Sequence, residues 1–173
     1  MTDERMGDAL WPALRRLPPG SGVVFRHYAT PAAARRALAR KVRRVATARR
    51  LILVIAGTPV IAADGVHGKA RTKGLRTWPA HSRREVDAGA RAKADALFIS
   101  PVYPTHSHKG APALGPARAL KIGRGLKMPV IALGGMTAKR WRRIKHQGYH
   151  GWAAIDALTP HEARSNYHFD RRS

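Results

Sequence analysis

Cysteine is absent from the 173 residues, which excludes disulfides and thiolate chemistry and fits a reducing, cytoplasmic setting. No apolar run approaches the length of a membrane span. The opening MTDERMGD is acidic and polar rather than a basic stretch leading into an apolar one, so neither a membrane anchor nor a secretory signal is expected. Aromatic residues make up only 6%, leaving few platforms on which nucleobases stack. Acidic side chains are scarce too: 10 Asp and Glu stand against 33 Lys and Arg, a formal charge of +23.

That excess invites a nucleic-acid reading. The cations fall mainly on two expected helices, Arg35, Arg36, Arg40, Lys41, Arg43 and Arg44 on one and Lys139, Arg140, Arg142, Arg143 and Lys145 on the other. Solvated helix faces of an Ala- and Arg-rich protein look like this. No helix-turn-helix, zinc-finger or RNA-recognition signature accompanies them. The expectation is weak, salt-sensitive adhesion to polyanions without specific recognition.

Two segments carry most information: ADALFISPVYPTHSHKG from Ala94 to Gly110, and PVIALGG from Pro129 to Gly135. Each is an apolar run of strand length ending in small or hydroxylated residues, as where a buried parallel strand delivers a binding loop at its C-terminal end. The wider pattern alternates strands with helices. Strands are expected at Gly22–Tyr28, Leu51–Ala56, Gly65–His67, around Thr77–Ala80, and at Ala96–Ile99, Val130–Leu133 and Gly151–Ile155. Helices are expected at Gly7–Leu17 (interrupted by Pro12), from Pro31 to about Arg50, at Ser82–Ala92 behind a Ser82/Glu85 capping box, from about Gly115 to Leu126, and at Ala138–Gln147. Strands this short and numerous in an α/β chain favour a barrel over an open sheet, with one barrel domain over residues 1–158 and a polar tail over 159–173.

The order of GVVFRHY, DGVHG, AHS, ISPVYPTHSHKG, ALGGM and GWAAIDAL resembles the thiamine phosphate synthase and thiazole tautomerase family of (β/α)8 TIM barrels, over about residues 7–158. SPVYPTHS is the most specific piece, similar to the family's Gly-Pro-Ile/Val-Phe-x-Thr-x-Thr-Lys segment. The resemblance implies a transferase of thiamine biosynthesis. Such an enzyme couples a pyrimidine methyl pyrophosphate to a thiazole phosphate and releases pyrophosphate, with Mg²⁺ and cationic side chains steadying the departing anion. No protein nucleophile is required.

Residue by residue, the resemblance puts Arg26 at the arginine of the family's Gln-x-Arg-x-Lys strand, where a guanidinium grips pyrophosphate; Val24 and Tyr28 replace its companions. Thr105 matches the first loop threonine, Ser107 keeps the hydroxyl of the second, and His108 stands for the lysine, with Lys109 beside it. Gly134 and Gly135, with Ile155 and Asp156 at the end of GWAAID, match the barrel's phosphate site, although Asp156 occupies a serine position and a carboxylate repels phosphate. His67 and His81 also match, as candidates for either the site or a hydrogen-bonded barrel interior.

The expected Mg²⁺ ligands are not matched. Ala56-Gly57 stand where the family has Asn-Asp, and the basic run Lys69, Arg71, Lys73 stands where a second aspartate follows; no metal ligand is therefore assigned, and reduced activity is expected. Asp64 remains, at a position that reads as structural. Met1-Thr2-Asp3 looks like only the end of the family's first strand, so most of that strand is expected to be missing from this chain, by a start assigned too late. Two other readings stay open. One is a thiazole tautomerase-like isomerase, against which Pro101 stands where that subfamily carries a loop histidine. The other is a non-catalytic phosphate-ligand or nucleic-acid-binding barrel, which the missing carboxylates and the charge favour.

Overall fold

A computed structural model describes residues 1–105 and 112–155. Seven strands, β1 (Gly22–Phe25), β2 (Ile52–Ala56), β3 (Gly65–His67), β4 (Leu75–Ala80), β5 (Ala96–Ile99), β6 (Val130–Ala132) and β7 (Gly151–Trp152), form one sheet in sequence order. Every neighbouring pair is parallel. Five α-helices accompany them: α1 (Leu10–Arg16), α2 (Ala32–Ala48), α3 (Arg83–Arg91), α4 (Pro116–Ile122) and α5 (Ala138–Ile144). A 3-10 stretch (Glu4–Ala9) leads into α1, and another (Lys145–Gln147) follows α5.

Local chemistry accounts for these elements. Pro12 is tolerated because it falls in the first turn of α1, where no intrahelical N–H bond is lost. In α2, Ala39, Val42 and Ala46 recur at helical spacing and pack with Leu10, Leu14, Phe25, Leu53 and Ile55 into one core. Burial of each large side chain there contributes roughly 1.5–3 kcal/mol. A second core joins Trp78, Val86, Leu97, Ile99, Ala132 and Ile144 beneath α3, α4 and α5. Ser82 caps α3 by accepting from the Glu85 N–H, as the capping-box spacing predicts. Gly89 brings α3 close to the sheet: a Cβ there would lie 2.9 Å from the Trp78 ring.

One expectation needs correction. Helices do not follow every strand: β2 to β3 and β3 to β4 are joined by loops of 57–64 and 68–74, too short to form the usual covering helix. The described residues form seven strands, as the loss of most of the family's first strand implies, and among them β1 and β7 do not pair with each other. Instead residues 1 and 2 lie between the two edges. The Thr2 N–H donates to Val24 O at 2.8 Å, and the Met1 amino group donates to Ala154 O at 2.7 Å. The sheet therefore curls until both edges meet the same dipeptide, at the position expected for the end of the family's first strand. Below that dipeptide, Leu10, Leu14, Gly22, Val23 and Ile155 line a small pocket in the seam.

Candidate functional site

Strand alternation decides which side chains enter the curled sheet. Val24, Val54 and Ala56 cluster with Met1 and Phe98 on its inner face, whereas Val23, Phe25, Leu53 and Ile55 face the helices. The same parity turns Arg26, just beyond β1, to the inner face. His67 is paired in register with Ala56, and Thr77 with His67, so both follow it inward.

His67 Nδ1 lies 2.9 Å from Thr77 Oγ1, and its ring meets Phe98 edge-on with centroids 5.2 Å apart. The residue is 6% exposed. Burial pushes its pKa down to about 4, helped by the charges of Arg26 and the N-terminal amine. His67 is therefore a neutral imidazole at ordinary pH. The Arg26 backbone N–H donates to Thr2 Oγ1 at 3.2 Å, and its guanidinium lies 5.7 Å from the Tyr28 ring centroid. Tyr28, which replaces the family's lysine, thus stacks on the arginine that remains.

Across the mouth, Gly134 and Gly135 follow β6 with φ of +87° and +60°. Their conformation and their packing both demand glycine. A Cβ on Gly134 would lie 2.7 Å from Pro101 Cα, and one on Gly135 would collide with the Pro104 carbonyl and come within 3.0 Å of Tyr103 Cβ. The turn is fastened to the loop after β5 by Val102 N–H to Leu133 O (2.8 Å) and Tyr103 N–H to Gly134 O (3.1 Å). Arg140 completes this corner: it reaches back from the first turn of α5 to donate to Gly135 O, and its guanidinium lies 4.6 Å from the Tyr103 ring centroid. Helical periodicity alone puts Arg140 on a solvated face. The signal for its real position is the Thr137 cap, whose Oγ1 accepts from the Arg140 N–H and fixes that residue beside the glycine turn.

His81 lies at the end of β4, where its Nδ1 is 2.8 Å from Ser100 O. A carbonyl only accepts, so Nδ1 carries the proton and Nε2 is the acceptor in the neutral ring. Thr105 stands at the end of the described loop after β5. Ser107, His108 and Lys109 lie outside the described residues, as does Asp156. Ile155 buries its side chain among Leu10, Leu14 and Val23, leaving only its backbone for any ligand.

The described carboxylates Asp64, Asp3 and Glu4 are committed to other partners. Asp64 accepts from Leu53 N–H at 2.7 Å and from Arg43 at 3.2 Å near the start of β3, the opposite end of the strands from Arg26. Asp3 accepts from the Arg5 side chain at 2.7 Å. Burial raises the Asp3 carboxyl, but the bonds from Arg5 outweigh this and leave it below the ordinary value. Glu4 accepts from Ala29 N–H at 2.8 Å. Among the described residues no group of three or more His, Cys, Asp or Glu converges to hold a metal ion. Hard Mg²⁺ does not fit this donor set.

Fold and mouth together define a parallel α/β protein whose strand ends carry cations and a glycine turn. Residues 13–158 match the family model described as thiamine monophosphate synthase, and the chain belongs to that family. It is 38% identical over 82 residues to a thiamine-phosphate synthase of Desulfitobacterium hafniense (strain Y51), covering 47% of this chain and 40% of that protein. A thiamine-phosphate synthase of Salinispora tropica is 36% identical over 102 residues, 58% of this chain and 48% of the relative. The matches thus span about half the length of these curated relatives or less. The solved thiamine phosphate pyrophosphorylase from Pyrococcus furiosus superposes with a TM-score of 0.78 at 20% identity, over 95% of this chain and 88% of that one, which shows the fold.

Proposed function

We propose that the chain is a cytoplasmic, single-domain transferase of the thiamine phosphate synthase type, joining a pyrimidine methyl pyrophosphate to a thiazole phosphate. The observation that carries this reading is the pairing of two anion-receptive corners across one mouth: Arg26 after β1, and Gly134-Gly135 with Arg140 after β6. Arg26 would draw charge from the departing pyrophosphate as the methylene C–O bond breaks. The glycine turn, bare of side chains, would take the thiazole phosphate on backbone N–H groups. Phe98 and Tyr28 offer apolar area for the rings between them. By resemblance, Thr105, Ser107, His108 and Lys109 would offer hydroxyls and cations to pyrophosphate, and His67 and His81 would shape the interior, His67 as a neutral ring. Because Mg²⁺ does not fit the described donors, no step is assigned to it.

Incubating purified protein with both substrates and Mg²⁺, and separating the products, tests this. Formation of thiamine phosphate, lost in Arg26→Ala, is expected. That no metal-holding cluster of carboxylates stands among the described residues favours a second reading, a phosphate-ligand barrel without catalysis. Binding of both substrates with no product would establish that reading instead.

A further inference from the structure

Outside the mouth, a row of arginines lies on the exposed face of α2. Arg36, Arg40 and Arg44 recur every four residues, about 6 Å apart along the axis, and all three are exposed. With Arg43 and residues Val60, Ile61 and Ala62 they line a groove of about 460 Å³. The groove follows from the run of β2 to β3 through a loop, so that among the described residues no helix separates these strands beside α2. Asp64 answers Arg43 alone, at 3.2 Å. The 17 residues of α2 contain no acid, and among the described residues no carboxylate pairs with Arg36, Arg40 or Arg44. Like charges at this spacing destabilise a helix, so the row is held against its own repulsion.

We infer that this arginine row is a docking groove for the phosphodiester backbone of a single nucleic-acid strand. A straight row of forked donors meets successive phosphates on one chain, each guanidinium bonding in two places. An extended chain fits better than a membrane, because the exposed large apolar residues that would anchor in lipid, Tyr28, Ile52 and Leu75, are not among the groove's lining residues. Recognition is independent of base sequence, since the groove offers no aromatic platform. The general adhesion expected from net charge is thereby given a location.

The test is fluorescence anisotropy with a labelled single-stranded oligonucleotide of mixed sequence. The ladder variant R36A/R40A/R44A is compared with K139A/R142A/R143A, which removes the same charge from α5. Alanine keeps both helices intact, checked by circular dichroism. The ladder variant should bind at least about tenfold more weakly. Its log affinity should also fall less steeply with log salt, by about 2, because three phosphates of the single strand are then no longer neutralised. The α5 variant should stay close to the parent. Equal losses in both variants would overturn the proposal, because net charge would then suffice. It would also be overturned if the ladder variant lost binding to anionic vesicles but kept the oligonucleotide, or if inorganic polyphosphate displaced the oligonucleotide at lower phosphate concentration than unlabelled strand.

Discussion

The buried neutral imidazole of His67 should make stability depend on acid in a defined window. Folding lowers its pKa from an ordinary 6.5 to about 4. Between those values the unfolded chain binds a proton that the folded chain refuses, so stability rises with pH across the window and is lost as pH falls through it. Above 6.5 neither state is protonated, and below about 4 both are, so the dependence ends at each side. A shift of this size, at about 1.4 kcal/mol per pH unit, corresponds to about 3 kcal/mol. His67→Asn isolates the effect, because its amide approximates the Nδ1 position that faces Thr77 and does not titrate. Urea denaturation of parent and variant from pH 3.5 to 7.5 reads the difference. The parent should lose about 3 kcal/mol more than the variant on acidification, on top of a shared loss from Asp3, Glu4, His27 and the buried Met1 amine, whose pKa values also lie low. Parallel profiles would show that His67 is solvated or charged in the fold, refuting the desolvation argument.

Gly135→Ala should destabilise the protein by about 1–3 kcal/mol in denaturant, since its φ of +60° and the Pro104 carbonyl leave no room for a Cβ; a loss of phosphate binding in that variant must be read beside its stability. Leu53→Ala should cost about 2–5 kcal/mol by the same measurement, because the side chain is fully buried in the core under α2. Arg140→Met should weaken binding of thiazole phosphate in calorimetry by about tenfold and cost about 1–2 kcal/mol in denaturant, because a half-buried guanidinium and its bond to Gly135 O are removed while the Tyr103 contact is kept in part.

Strand and helix order were legible because the signals are local. LILVIA and ALFI are apolar runs of strand length, Pro31 and Ser82 mark helix starts, and each appears within a residue or two of its expected place. Uniform alternation of strands with helices was the overstatement: the segments 57–64 and 68–74, for which the sequence itself offers no helix, are loops with too few residues for a covering one. At the candidate site, motif order alone pointed to Arg26, His67, His81 and the Gly134-Gly135 turn. Arg140 was missed because its position follows from a cap and a tight turn, which bring a helix residue back over the strand end. Thr77 was missed as the partner of His67 because cross-strand register is a tertiary fact. The missing carboxylates were legible from the start, as absence from a sequence requires no folding to see.

The central claim is that pyrophosphate is held here by side-chain cations rather than by a protein-bound metal. Calorimetric titration of pyrophosphate into the parent and into Arg26→Ala, each in chelator and in Mg²⁺, tests it most directly. Binding in chelator, weakened in Arg26→Ala and by added salt, is the result expected of a half-buried cationic grip open to solvent and screened over about 10 Å at 0.1 M ionic strength. Binding that appears only with Mg²⁺ and is indifferent to Arg26 would contradict it.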